Sequence, residues 1–281
     1  MEQLCEDYPT LFPYVKIIEK KWYNNVLKDI FNKNPVTLYW IDRILSESSY
    51  QDAKGQTRFS SVNPDTAEAI WSWTYRTPLH KLKVVVIGQD PYVTNHPNGS
   101  VADGLAFSTK WGYLAPSLSC IFDAVHQQCG PHVDLTYTNL DNWARQGVLL
   151  LDTIMTSGTK PRSHRDLDWT VLTEAIIQSV CRYSLKVLKR PLIFLLWGYY
   201  AKSLSRHSYA DDGSVINPVI NNNLHKVLQS RHPSPVADRY FRNTFAEVND
   251  DHFLKVNRIL NSWNVRKIDW STNEKSNYFK Y

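Results

Sequence analysis

Two carboxylates and one histidine each stand just after a short apolar run of the chain. They are Asp90 after residues 83–87, Asp152 after residues 148–151, and His232 after residues 226–229. A carboxylate can stabilise positive charge or orient a water, and an imidazole can donate a hydrogen bond to a developing anion. Brought together at one place, these residues would form an active site for breaking a polar bond.

The apolar runs have the features of buried parallel strands. They are β-branched or leucine-rich, a fourth run covers residues 192–197, and stretches with helical periodicity such as 118–128 and 170–188 lie between them. Continuous apolar runs that alternate with helices are typical of a parallel sheet covered on both faces. Ligand sites in such sheets lie beyond the carboxyl ends of the strands, so the residues after the four runs should meet at one edge.

Composition predicts one globular domain. The 281 residues are 43% hydrophobic and 13% aromatic, which is enough material for a sizeable core. There are 32 Lys and Arg against 27 Asp and Glu, and the resulting net charge of +5 is compatible with a nucleic-acid partner. The polar stretches 47–64 and 207–223 are predicted to be loops.

The sequence also indicates an intracellular protein. Its first residues, MEQLCEDYPT, are acidic and lack the apolar segment of a secretory signal, and no run of about 18 apolar residues predicts a membrane span. The four cysteines are scattered without a close pair, which favours reduced thiols and gives no sign of a metal site.

Five motifs occur along the chain in a fixed order. They are GQDPY at 88–92, GLAFS at 104–108, GVLLLD at 147–152, FLLWG at 194–198 and HPSP at 232–235. In this order and spacing the sequence resembles the family 1 uracil-DNA glycosylases, which cut the N-glycosidic bond of uracil in DNA. The resemblance runs from about Trp22 to Trp270. It implies a single-domain α/β/α sandwich around a central four-stranded, mostly parallel sheet, with no metal or cofactor. Residues 1–20 are predicted to be an N-terminal extension, and 21–281 the catalytic domain.

The resemblance implies a role for each motif residue. Asp90 would stabilise positive charge on the deoxyribose and orient the attacking water, while His232 would donate, as a neutral imidazole, to the departing base. Phe107 would stack on the flipped base, and Tyr92 would stand against carbon 5, where thymine carries a methyl group. The implied base-binding residues are Gln89, Tyr92, Phe107 and Asp152. The implied DNA contacts are Pro116, Ser117, Gly198, Tyr199, Pro233, Ser234, Pro235 and Val236.

Asp152 departs from the family, which has at this position an asparagine that reads the pyrimidine edge. An amide can accept from N3–H of uracil and donate to O4, whereas an ionised carboxylate can only accept. Ionised Asp152 would suit the amino group of cytosine better, and protonated Asp152 would restore the asparagine pattern, because burial raises carboxyl pKa values. We therefore expect either uracil excision with a stronger acid dependence or relaxed specificity towards cytosine. Tyr92 excludes thymine in both cases.

Other departures lie around the motifs. Val93 stands where the family usually has a histidine, the stretch 93–103 is longer than usual, and Asp103 precedes GLAFS where a histidine is common. Tyr199 replaces a serine, and Val236 occupies the position of the family's intercalating leucine. We expect weaker assistance to the water from Val93 and a shorter wedge from Val236.

These observations predict a monomeric DNA glycosylase that excises uracil from single- and double-stranded DNA, leaves an abasic site and starts base excision repair. Two alternatives stay open: a relaxed cytosine and uracil glycosylase, or a weakly active DNA-binding scaffold with a replication complex as partner. A generic nucleotide-binding protein would need a phosphate-cradling glycine loop, which the sequence lacks. Asn- and Lys-rich tracts favour an AT-rich genome such as that of a large DNA virus, and hence the nucleus or a viral replication compartment.

Overall fold

A computed structural model describes residues 1–209, 215–216, 218–238 and 243–273 of the chain. Ten strands are described in these ranges: β1 (Ser49–Gln51), β2 (Thr57–Phe59), β3 (Val84–Gly88), β4 (Asn95–His96), β5 (Gly99–Ser100), β6 (Val148–Asp152), β7 (Ile193–Trp197), β8 (Ser208–Tyr209), β9 (Val215–Ile216) and β10 (Lys226–Ser230). No helix in the described ranges is long and apolar enough to cross a membrane.

Thirteen α-helices are described in the same ranges. They are α1 (Glu2–Asp7), α2 (Lys20–Trp22), α3 (Lys28–Lys33), α4 (Pro35–Glu47), α5 (Ala67–Ile70), α6 (Ser72–Arg76), α7 (Pro116–Cys129), α8 (Asp141–Arg145), α9 (Trp169–Tyr183), α10 (Tyr199–Ser203), α11 (Pro235–Asp238), α12 (Phe245–Val248) and α13 (His252–Ser262). Short π-helical turns connect α2 to α3 and extend α9, and a 3₁₀ turn precedes β3.

The predicted sheet is confirmed and is parallel throughout. Its order is β10-β7-β3-β6, and every neighbouring pair runs parallel. The chain moves from β3 to β6 in one direction and from β6 past β3 to β7 in the other. Right-handed crossovers therefore put α7 and α9 on opposite faces, which gives the α/β/α sandwich. All residues of β3, β6 and β7 are buried, as continuous apolar runs predict.

The register of the sheet brings the motif residues together. Gly88, at the end of β3, pairs with Asp152 at the end of β6. On the other side, the Gly198 N–H after β7 donates to the Ser230 carbonyl at the end of β10, at 3.0 Å. The segments after all four strands therefore start from one edge, so residues far apart in sequence meet there.

Residues 1–20 pack against the domain as an arm. Leu11, Phe12, Ile17 and Ile18 join the common hydrophobic core, and the ring of Phe12 stacks on that of Trp71 with centroids 5.3 Å apart. The Leu11 carbonyl also accepts a hydrogen bond from the Trp71 indole at 3.0 Å. The aromatic and apolar content of this segment is therefore used in core packing.

The prediction of a loop over 47–64 was wrong in part, because this stretch contains the antiparallel hairpin of β1 and β2. Arg58 in β2 pairs with Asp52 at 3.0 Å and with Asp65 at 2.8 Å. These ion pairs and the cross-strand hydrogen bonds stabilise a polar hairpin. Its sequence has little of the apolar alternation from which strands are predicted. The second stretch, 207–223, lies partly outside the described residues.

Candidate active site

A cavity of about 280 Å³ opens at the carboxyl edge of the sheet. It brings together eight of the residues that the motifs single out: Gln89, Asp90, Tyr92, Phe107, Ser117, Asp152, His232 and Ser234. The rest of its lining comes from the loops after β3 and β5 and from Pro161. The cavity is the size of a small ligand site, and its walls combine aromatic rings with carboxylates and an imidazole.

Asp90 is held by two hydrogen bonds to one carboxylate oxygen. Its Oδ2 accepts from the Ser157 hydroxyl at 3.1 Å and from the backbone N–H of Arg162 at 2.8 Å. Both donors come from the loop after β6. Ser157 was missed from the sequence, because it carries no motif signal and is recognisable only by this tertiary contact. The two donors fix the orientation of the carboxylate at the cavity.

His232 is oriented by its own loop. Its Nδ1 accepts a hydrogen bond from the Ser234 N–H at 3.0 Å, so the neutral imidazole carries its proton on Nε2. Burial lowers the pKa of His232 below its ordinary value, and the negative charge of Asp90 opposes that shift. Gly198 packs directly against the imidazole, since a Cβ there would lie 3.0 Å from the His232 Cβ. The geometry gives a neutral N–H donor at the cavity.

Phe107 and Tyr92 form the aromatic walls. Phe107 adopts a left-handed backbone conformation (φ 65°), and its ring centroid lies 5.7 Å from Trp197 and 6.0 Å from His232. The Tyr92 hydroxyl donates to the Phe107 carbonyl at 3.4 Å. Burial raises the pKa of Tyr92 far above its usual value, so the hydroxyl stays protonated. Both aromatic side chains line the cavity, and an aromatic ring can pack against the face of a heterocyclic base.

Asp152 lines the cavity and is only 9% exposed. Its Oδ1 occupies the space over Gly88, where an added Cβ would lie 2.0 Å from that oxygen. Burial, and then the negative charges of Asp90 and Asp103, raise the pKa of Asp152 well above its ordinary value. The surroundings of the Asp152 carboxyl therefore favour its neutral form.

Gln89 contributes its main chain to the edge of the sheet. Its carbonyl accepts from the Thr153 hydroxyl and from the Ile154 N–H, both at 3.0 Å. These bonds join the loop after β3 to the loop after β6. They hold Asp90 and Asp152 in a fixed relation.

Asp103 is a structural anchor. It is 1% exposed, pairs with Arg76 at 2.9 Å, and accepts from the Ser108 hydroxyl at 2.7 Å and the Leu105 N–H at 3.1 Å. These contacts fix the segment that carries Phe107. The longer stretch before it forms the β4–β5 hairpin, in which His96 stacks on Trp111 with ring centroids 5.8 Å apart. Val93 lines the cavity.

The other six predicted DNA contacts are not among the described cavity-lining residues. They are Pro116, Gly198, Tyr199, Pro233, Pro235 and Val236, which we call the rim. Four of them are near lining residues in sequence, and Gly198, which precedes Tyr199, packs against the lining residue His232. Pro116 begins α7, where a missing N–H costs nothing, and Tyr199 and Pro235 begin α10 and α11. Tyr199 is 74% exposed and Val236 is 57% exposed, so both side chains are available to a partner outside the cavity.

Comparisons with known proteins identify the family of this chain. The family model described as the uracil DNA glycosylase superfamily matches residues 75–261. A uracil-DNA glycosylase of Oceanobacillus iheyensis is 34% identical over 92% of this chain and 98% of its own length. One of Alcelaphine herpesvirus 1 is 38% identical over 75% of this chain and 76% of its own length.

A similar fold has been solved. The crystal structure of mimivirus uracil-DNA glycosylase superposes with a TM-score of 0.72, covering 96% of this chain and 92% of that one at 21% identity. The structural likeness establishes the fold, and the sequence similarity establishes the relationship. The chain belongs to the uracil-DNA glycosylase superfamily, whose activity is the excision of uracil from DNA.

Proposed function

We propose that the chain hydrolyses the glycosidic bond of a flipped deoxyuridine with Asp90 and His232 as its catalytic residues. The observation that carries this assignment is that Asp90 and His232 line the same cavity as Phe107 and Tyr92. Asp90 supplies a hydrogen-bonded carboxylate, and His232 supplies a neutral N–H donor. Breaking the bond needs both groups, because positive charge develops on the sugar while negative charge develops on the base.

The reaction proceeds by charge separation and capture by water. As the bond between C1′ and N1 lengthens, the Asp90 carboxylate stabilises the sugar cation and the Nε2–H of His232 donates to O2 of the departing uracil. A water then adds to C1′, and its proton passes to the Asp90 carboxylate and on to solvent. The products are an abasic site and free uracil.

The test is excision from a single-stranded oligonucleotide that carries one uracil, read as strand cleavage after alkaline treatment. We expect cleavage at the uracil and release of the free base. A protein that binds this oligonucleotide but releases no uracil would contradict the proposed chemistry and favour a DNA-binding scaffold.

Tyr92 is proposed to exclude thymine by filling the space beside carbon 5 of the base. We expect Tyr92→Ala to raise thymine excision at least about tenfold above background, since the methyl group gains room in a tightly packed pocket. Tyr92→Phe is the matched control and should still exclude thymine, because the ring remains. The assay uses matched oligonucleotides with uracil or thymine; thymine rates that stay at background in Tyr92→Ala would contradict this role.

The rim is proposed to contact the DNA strand on either side of the flipped nucleotide. Backbone amides, hydroxyls and rigid prolines can hold phosphates without reading sequence. Tyr199 and Tyr200 form an exposed aromatic pair with ring centroids 5.8 Å apart, a surface on which unpaired bases can stack. This pair supports a preference for single-stranded substrate.

Tyr199→Ser is expected to weaken single-stranded DNA binding by about 1–3 kcal/mol, the usual loss per stacked base. Duplex binding should change less, because paired bases are not free to stack. Tyr39→Ser is the matched control, since Tyr39 is an exposed tyrosine too, 49% against 74% for Tyr199, but lies on α4 and does not line the cavity. Fluorescence anisotropy with both DNA forms makes the measurement; equal losses for the two tyrosine variants would contradict the stacking role.

We further propose that the enzyme acts as a monomer. All residues assigned to chemistry and base reading come from one chain and line one cavity. Light scattering at working concentration, with and without oligonucleotide, tests this assignment. A dimeric mass in either state would contradict it.

A further inference from the structure

We propose that Asp152 works as a neutral carboxylic acid that reads uracil and also passes its proton to N3 of a flipped cytosine, which gives this enzyme a second activity, the excision of unpaired cytosine. The inference rests on the proposed function, because it uses the same cavity and the same catalytic pair. It concerns the position at which this chain departs from the asparagine of its family.

The position of Asp152 suits it to read a base. Asp152 lines the same cavity as Phe107 and Tyr92. Within the described residues, its carboxyl makes no hydrogen bond or ion pair, although the side chain is more than nine-tenths buried. A buried polar group without a protein partner is costly unless a ligand supplies one. The donors and acceptors of a flipped pyrimidine would satisfy both oxygens.

The groups around Asp152 favour the neutral form. Asp90 and Asp103 face it from the loops after β3 and β5, and Tyr92 is a neutral phenol. Asp103 is paired with Arg76, and burial lowers the pKa of His232. Burial and the two carboxylates raise the pKa of Asp152 well above its ordinary value. Within the described part of the chain, Asp152 has no ion pair that would compensate its ionised form, and a proton on its carboxyl removes the conflict.

A neutral carboxyl matches two bases because its proton can sit on either oxygen. For uracil, one oxygen donates its proton to O4 and the other accepts from N3–H. For cytosine, the first oxygen accepts from the amino group and the second donates to N3. The amide of an asparagine can offer a hydrogen bond to N3 but cannot give up a proton there, because an amide N–H is not an acid at these pH values.

Proton transfer is what makes cytosine a leaving group. The bond from the Asp152 oxygen to hydrogen breaks as the N3–H bond forms, and the electron pair of the C1′–N1 bond goes to the base, which leaves as neutral cytosine. Water adds to C1′ and gives its proton to Asp90. Asp90 then releases its proton to solvent, and Asp152 takes up a proton from solvent, so atoms and charge balance over the cycle.

Two features limit the substrates of this activity. Tyr92 excludes thymine whichever oxygen of Asp152 carries the proton. Flipping a base costs least when it is unpaired, so cytosine in a G·C pair is disfavoured as a substrate. Cytosine excision should therefore be measured on single strands.

The deciding experiment compares the wild type with Asp152→Asn on single-stranded oligonucleotides that carry either one uracil or one cytosine, from pH 5.5 to pH 9. For the wild type we expect excision of both bases, with kcat/KM for each falling about tenfold per pH unit above the pKa of Asp152. For Asp152→Asn we expect uracil excision without this alkaline fall and a loss of cytosine excision by roughly 10²–10⁴-fold. The proposal is overturned if the wild type excises uracil but no cytosine and its kcat/KM for uracil shows no more of a fall at alkaline pH than that of Asp152→Asn.

A second measurement does not depend on catalysis. In protein labelled with ¹³C at aspartate carboxyl carbons, the resonance that disappears in Asp152→Asn belongs to Asp152. We expect its titration well above the ordinary carboxyl range, whereas titration within that range overturns the proposal. If neither base is excised but this resonance titrates as expected, the proposed function has failed, and with it the cytosine activity, while the neutral state of Asp152 stands.

Discussion

Asp90→Asn should lower kcat for uracil excision by about 10²–10⁴-fold while leaving the fold intact. The substitution is nearly isosteric, and the amide oxygen can still accept from the Ser157 hydroxyl and the Arg162 N–H that now hold the carboxylate. It removes the negative charge that faces the developing sugar cation and the base that takes the proton of the attacking water. Binding of the uracil oligonucleotide should be retained, because the charge matters most when the bond breaks.

Single-turnover excision at saturating enzyme measures this effect on the chemical step, and thermal unfolding provides the control for folding. The Asp134→Asn variant is a matched substitution, since Asp134 accepts from Thr136 and Asn273 at a distance from the cavity. It should excise uracil at the wild-type rate. Full activity in Asp90→Asn would reject the assignment of the catalytic carboxylate.

His232→Ala should lower kcat by about 10²–10³-fold, the usual cost of removing one donor to a developing oxyanion. The imidazole must be neutral to leave Nδ1 free to accept from Ser234 and Nε2–H free to donate into the cavity. Burial lowers the pKa of His232 below its ordinary value of 6.5, so the neutral form dominates at pH 7. Wild-type activity should therefore hold from neutral pH down to that pKa and fall as the pH drops through it.

The pH profile separates this role from a merely structural one. His232→Ala should lose one ionisation from the acid side of the kcat profile, so that its activity falls less steeply with acidity than that of the wild type. His225→Ala is the control, because this buried histidine accepts from the Leu192 N–H at the opposite end of the sheet. It should destabilise the fold without changing the acid slope. An unchanged slope in His232→Ala would refute the proposed donor.

The sheet and the positions of the motif residues could be predicted from the sequence because they depend on local pattern. Apolar runs such as 84–88 and 148–152 have no other stable place than a sheet buried on both faces. Parallel strands then bring their carboxyl ends to one edge, so Asp90, Asp152 and His232 had to meet there. The order of the motifs along the chain then predicted which reaction these residues carry out.

The contacts that tune those residues could not be read from local pattern, because they join distant segments. Ser157 reaches Asp90 across 67 residues, and Asp103 finds Arg76 on a separate helix. The hairpin at 49–59 depends on ion pairs and cross-strand bonds with little apolar alternation, and the packing of residues 1–20 depends on a shared core. Neither feature has a periodic signature.

The sequence by itself determined the family and the sheet, because motif spacing and apolar patterning are properties of the chain. Only the tertiary structure decided the surroundings of Asp152. The sequence left both an ionised and a neutral carboxyl open, and the choice depends on how much water remains around the carboxyl and which charges face it. Burial at the end of β6, with Asp90 and Asp103 as charged neighbours, raises the pKa of Asp152 and favours the neutral acid that we propose.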